Sequence, residues 1–270
     1  MAVDLDSLLA DLVAETEDTV AMLAPLDAAG WDHATPAEGW TVRDQVTHLA
    51  FFDDSAVVAI TDPDRFRAEA AELLAVGDTF PDEVTARFRN LPGGEVLQWW
   101  RTARAALVAA AAGADPRLRM PWYGPEMSLA SAITARLMET WAHGQDVADA
   151  LGVTRTPTAR LRHIAHLGVS TFAFAHTLRG LDVPTEAVRV DLEAPDGSRW
   201  TWGHDDAPDR VVGPALDFCL VVTQRRHVDD TALKVTGPTA RQWLSIAQAY
   251  AGRAGEGRAP SSAVPDGGGA

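Results

Sequence analysis

At 270 residues, 47% of them hydrophobic and 23% charged, the chain is long enough for one large domain or two modest ones with cores of their own. Its 38 acidic against 23 basic side chains give a formal charge of -15. That balance argues against a nucleic-acid backbone or an anionic membrane surface as the main partner, because both need a basic footprint.

No apolar run reaches the roughly 18 to 20 residues of a membrane span, and the opening MAVDLDSLLADL is acidic and amphipathic, unlike a basic signal peptide. The expected address is cytoplasmic. Lys234 is the only lysine, so Schiff-base or lysine-base chemistry would rest on that one residue. Cys219, the only cysteine, sits in the apolar run DFCLVV and reads as a buried small hydrophobe. An intramolecular disulfide and a thiolate-rich metal site are both excluded. Any metal must be held by His, Asp and Glu, and any thiol chemistry needs a thiol from outside.

In chain order, apolar residues recur at three- and four-residue intervals over 4–26, 41–60, 95–114, 127–153 and 158–180, which predicts long helices with shorter ones between 62 and 90. Gly39 with Thr41, the run Pro92-Gly93-Gly94, the stretch Pro121 to Pro125 and Thr156-Pro157 punctuate them. After Pro184 the period changes to two in AVRVDLEAP and SRWTWGHDD, and Asp196-Gly197 between them predicts a β-hairpin. A short helix at 213–223, a strand in ALKVTG and a helix from Pro238 to about 251 complete the folded part. The expected fold class is mainly α with a small α+β domain. Residues 1–182 form the helical bundle, 183–252 the α+β domain, and 253–270, rich in Gly, Ala, Pro and Ser, a disordered tail.

The chemistry concentrates in METWAHGQDV, where Glu139 and His143 lie about 40° apart on a helical wheel. An isolated i,i+4 pair of this kind is also an ordinary surface pair. A third group comes from His48 in TVRDQVTHLAFFD, whose apolar neighbours Val46, Leu49, Phe51 and Phe52 turn it partly inward. Two imidazoles and one carboxylate are the ligand set of a catalytic zinc with open positions, although nickel, iron and manganese accept similar ligands. Asp146 is a candidate for fixing an imidazole tautomer from behind. A rival cluster, His163, His166 and His176, lies among apolar residues with no carboxylate nearby and reads as packing. Arg225 and Arg226 in TQRRHVDD are candidates to clamp a carboxylate. Trp200 and Trp202 read as packing residues. No G-x-S-x-G elbow, P-loop or Rossmann glycine pattern is present.

The runs TPAEGWTVRDQVTHL (35–49), ETWAHGQDV (139–147) and DFCLVVTQRRHVDDTALKVTGPTARQWLSIAQAYAG (217–252) resemble the mycothiol-dependent maleylpyruvate isomerase family of actinobacteria. The resemblance spans about residues 5 to 252. It implies an N-terminal DinB-like four-helix bundle that binds metal, followed by a small C-terminal α+β domain likened to sterol carrier proteins. It places the metal triad on His48, Glu139 and His143, and an arginine of the C-terminal domain on Arg225 or Arg226. The implied activity is isomerisation or S-transfer on a small electrophilic substrate, with mycothiol as external thiol; the acidic composition by itself marks no dimer face and fits a monomer or homodimer equally. A thiol-independent cyclase or lyase on the same bundle, and a non-catalytic metal- or ligand-binding module, are the alternatives.

Overall fold

The structure is a computed structural model and describes residues 4–261. Two compact units divide between Arg155 and Thr156.

The first unit is built on α1 (Leu5–Leu23), α2 (Ala28–Trp31), α3 (Val42–Thr61), α4 (Pro63–Leu74), α5 (Phe80–Arg87) and α6 (Gly93–Ala111). The short antiparallel strands β1 (Arg119–Met120) and β2 (Met127–Ser128) follow, and then α7 (Leu129–Leu151). The starts of its helices are written in the sequence. Asp4 accepts from the backbone of Asp6 and Ser7, Thr41 and Asp44 form a reciprocal capping box, and Ser128 accepts from Ser131 N; each satisfies amides that have no partner inside the helix. At the other end of α7, Gly152 closes the helix in the left-handed region at φ 66°.

Four long helices make the bundle: α3 packs on α6 and α7, and α1 packs on α7. One part of its core joins Leu23, Trp31, Val42, Val46, Leu49, Val96 and Trp100, all buried. Another is an aromatic patch of Phe52, Phe80 and Val84, with Phe51, Trp122 and Tyr123 packed against it. The bundle centre is not wholly apolar. Asp53, fully buried, accepts from Arg104 Nε at 2.7 Å, Arg136 Nε at 2.9 Å and Trp100 Nε1 at 3.1 Å.

The second unit contains α8 (Leu161–Ser170), α9 (Phe172–Thr177), β3 (Val188–Glu193), β4 (Arg199–Trp202), β5 (Asp209–Pro214), α10 (Ala215–Val222), β6 (Lys234–Thr236) and α11 (Pro238–Ile246). Its sheet has the order β4-β3-β5-β6. The expected hairpin is β3 with β4, paired Val190 to Trp202 through Glu193 to Arg199. β5 pairs parallel to β3 and has no counterpart in the sequence reading, since DRVVGP is short and bounded by Pro208 and Pro214. The helix at Pro238 ends at Ile246, short of the expected 251, because Ala247 turns to extended backbone at ψ 136°.

The architecture is mainly α with a small α+β unit, as expected, and α8 and α9 belong to that second unit although 158–180 was assigned to the bundle. α8 packs on α10, where Gly168 leaves room for Val222. Trp200 is buried, in keeping with a packing role. The chain after Gly252, expected to begin a disordered tail, is tied down as far as Ser261. Gly255 N donates to Gln248 Oε1 at 2.9 Å, Arg179 Nη2 to the Gly255 carbonyl at 2.6 Å, and Ser261 N to Asp230 at 3.0 Å. The rest of that segment, 262–270, lies outside the described residues.

Candidate metal centre

His48 of α3 meets Glu139 and His143 of α7, so that one ligand atom from each lies within 4.8 Å of the others. His143 Nε2 stands 3.1 Å, and His48 Nε2 3.6 Å, from Glu139 Oε2. The two imidazole centroids are 4.3 Å apart. Among the described residues this is the only His, Cys, Asp or Glu cluster so arranged. The stripe predicted for α7 is therefore not a wet seam: His143 is buried, and Glu139 is mostly covered.

The surroundings set the charges. Burial, with His143 alongside, lowers the His48 imidazole to about 4, which keeps it neutral and able to ligate. Burial acts to raise Glu139, but hydrogen bonding to His143 and His48 outweighs it and holds the carboxyl well below its usual range. One side is closed by rings. Phe52 lies 4.5 Å from His48 between centroids, and Trp40 stacks on His143 at 5.9 Å with 16° between the planes.

The block TPAEGWTVRDQVTHL proves to be scaffold as well as site. Thr35 N donates to the Trp40 carbonyl at 2.8 Å, closing a tight loop, and Ala34 bridges to Thr41. Gly39, at φ 75°, takes the left-handed backbone this loop requires. Arg89 pins the loop from outside by donating to the Gly39 carbonyl at 2.9 Å and to Asp44 at 3.0 Å. Trp40 Nε1 donates to Asp82 at 2.7 Å, which fastens the indole to the first turn of α5.

Sequence reasoning missed Gln45. Its Oε1 is the hydrogen-bond partner of His143 Nδ1. Asp146, expected behind an imidazole, is buried one turn further along α7, but Gln45 occupies that nitrogen. The signal available was an amide on the same face of α3 as His48, one turn earlier. The rival histidines do not converge: His166 is exposed, and His176 is buried with Nδ1 2.8 Å from the Phe172 carbonyl. Arg225 and Arg226 lie in the second unit, in the turn after α10, where they donate to the carbonyls of Thr223 at 2.6 Å and Arg225 at 2.7 Å.

The donor set fits a divalent ion: two nitrogens and one oxygen converge from two helices, and fewer than four protein ligands leave room for water or substrate. His48 turns Nε2 toward Glu139, and its Nδ1 is buried with no hydrogen-bond partner, unlike Nδ1 of His143.

A bundle that sets two imidazoles and a carboxylate between its helices, followed in the chain by a small α+β unit, defines a two-unit helical protein with a candidate metal centre. The chain belongs to the mycothiol maleylpyruvate isomerase family: the model described as "Mycothiol maleylpyruvate isomerase N-terminal domain" matches residues 12–148, a span that holds all three converging residues. A model described as "Wyosine base formation" matches residues 184–235. Proteins described as uncharacterized from two strains of Mycobacterium tuberculosis are 44% identical over 250 residues, covering 93% of this chain and 97% of each relative. Crystal structures of the mycothiol-dependent maleylpyruvate isomerase and of a histidine-to-alanine mutant of it superpose with TM-scores of 0.58 and 0.57 at 17% identity, over 88% of this chain and 94% of theirs. That likeness is one of fold. No helix among the described residues is long and apolar enough to cross a membrane.

Proposed function

We propose that the protein is a divalent-metal-dependent enzyme that uses mycothiol as an external thiol for isomerisation or S-transfer on a small electrophilic substrate. The observation that carries this reading is the convergence of His48, Glu139 and His143 within 4.8 Å. Family membership supports the thiol and the reaction class. A divalent ion held by these three residues, with zinc first and nickel, iron or manganese as alternatives, supplies a Lewis acid that lowers a thiol's pKa or polarises a carbonyl.

The chain's own residues supply the rest. His48 stays neutral and Glu139 ionised, so neither of these two has to lose a proton before it can ligate. Phe52 and Trp40 keep water from one side of the site. The only internal thiol, Cys219, is buried and raised by burial well above its ordinary value, so it cannot stand in for an external one. In the isomerase version, a sulfur–carbon bond forms at the cis double bond of a maleyl-type acid. The former double bond rotates, and elimination restores it as trans and releases the thiol. Arg225 or Arg226 is proposed to hold a substrate carboxylate. The proposed setting is the cytoplasm.

The test is metal content by mass spectrometry on protein purified without chelators, beside folded His48→Ala, Glu139→Ala and His143→Ala variants. Near-stoichiometric metal in the wild type that all three variants lose is expected, together with turnover of a maleyl-type acid that stops when thiol is omitted. Turnover without thiol selects the cyclase or lyase alternative. Wild type that stays metal-free after reconstitution removes the reading.

A further inference from the structure

We propose that Gln45, oriented by Thr35, is the positioning residue that commits His143 to the Nδ1–H tautomer and so presents its Nε2 lone pair to the metal. This rests on the metal-centre reading above, but its first test does not need a metal.

The inference follows from counting donors and acceptors along one chain of contacts. At its outer end is the Trp40 carbonyl, which can only accept. Thr35 Oγ1 lies 2.8 Å from it and must donate its single hydroxyl hydrogen there. The lone pairs of that hydroxyl are then left for Gln45 Nε2, 2.8 Å away, which donates. With its NH₂ turned to Thr35, Gln45 has its Oε1 on His143, and an amide oxygen can only accept. His143 Nδ1 is therefore the protonated nitrogen. In the neutral ring the lone pair falls on Nε2, the atom 3.1 Å from Glu139 Oε2.

Nε2 and the carboxylate are then both acceptors, and a cation shared between them reconciles the contact: a proton, as in the hydrogen bond described above, or a metal ion in its place. Glu139 alone would favour a proton on Nε2, the tautomer that blocks ligation. Gln45 opposes it, and the burial of Thr35 and Gln45 makes an unpaired amide or hydroxyl there costly. The relay also explains why the loop 35–41 and the helix carrying His48 occur as one sequence block. The loop's backbone carbonyl at Trp40 sets the direction of every hydrogen bond that ends at the ligand.

The first measurement is a long-range proton–nitrogen correlation spectrum of the histidine rings in the metal-free full chain, held above the imidazole titration range, with His143 assigned by its loss in His143→Asn. A proton on Nδ1 is expected. A ring protonated on Nε2 alone overturns the proposal.

The second is zinc affinity by chelator competition. Gln45→Met, close in shape but without the acceptor, should bind about 10- to 100-fold more weakly. Gln45→Glu, which keeps an acceptor, should stay within a few-fold of wild type. Thr35→Val should weaken binding by itself and add little to Gln45→Met, as members of one relay do. Unchanged affinity in folded Gln45→Met, or equal losses in the Met and Glu variants, also overturns it. An Nδ1 proton in a chain that binds no metal upholds the tautomer assignment while removing the metal reading.

Discussion

Arg136 donates from Nε to Asp53 Oδ1 at 2.9 Å from a position on α7 one turn before Glu139, so the helix that carries two of the three candidate ligands is locked to α3 by a buried ion pair. Arg104 of α6 donates to the other oxygen of Asp53 at 2.7 Å and reaches Thr16 of α1 and Thr140 of α7 at 2.7 and 2.9 Å. One carboxylate thus connects all four long helices. Asp53→Asn removes the carboxylate paired with two buried guanidinium groups, and the expected cost is about 3–5 kcal/mol in urea unfolding. A loss below about 1 kcal/mol would show that the network is replaceable polar packing.

Acid should weaken the metal-free protein through the site itself. An unfolded chain protonates His48 near 6.5, whereas the folded one does so only at about 4. Between those values the unfolded state binds more protons, so the stability His48 contributes is complete above about 6.5 and is lost as pH falls toward about 4. Glu139, also held low, acts in the same direction. Urea midpoints of metal-free wild type and His48→Gln across this range provide the check: wild type should fall more steeply, and parallel profiles would refute the assignment.

Trp40 stacks on His143 with its indole Nε1 donating to Asp82 at 2.7 Å. Asp82→Ala is exposed and should change stability by no more than about 0.5 kcal/mol. It should raise the rate at which a chelator strips metal several-fold, read by stopped-flow absorbance with a chromophoric chelator. An unchanged stripping rate would mean that metal leaves by another face.

Gly93 opens α6 directly under Trp31, and a Cβ there would lie 2.1 Å from the indole ring. Trp31 is buried against Val42 and Val46 and cannot swing away. Gly93→Ala should cost about 1–3 kcal/mol by thermal unfolding, as overpacking does. Wild-type stability would show that the helix start gives way instead.

Much of the first unit was legible because its signals are local. Helix starts at Asp4, Thr41 and Ser128 and the Gly152 stop are capping chemistry that a sequence displays directly. The Glu139–His143 face follows from 3.6 residues per turn, and the inward turn of His48 from its apolar neighbours. The hairpin at Asp196-Gly197 is equally local. Tertiary structure decided what depends on partners distant in the chain. β5 became a strand because β3 offered it a parallel edge, and the chain to Ser261 was held by side chains rather than by its own composition. Asp53 gathered two arginines from 51 and 83 residues away. Gln45, set 98 residues from His143, supplied the contact expected of Asp146. A sequence states which groups can donate, accept or ligate, but a hydrogen bond needs two groups within about 3 Å, and only the packing of α3 on α7 decides which pairs meet.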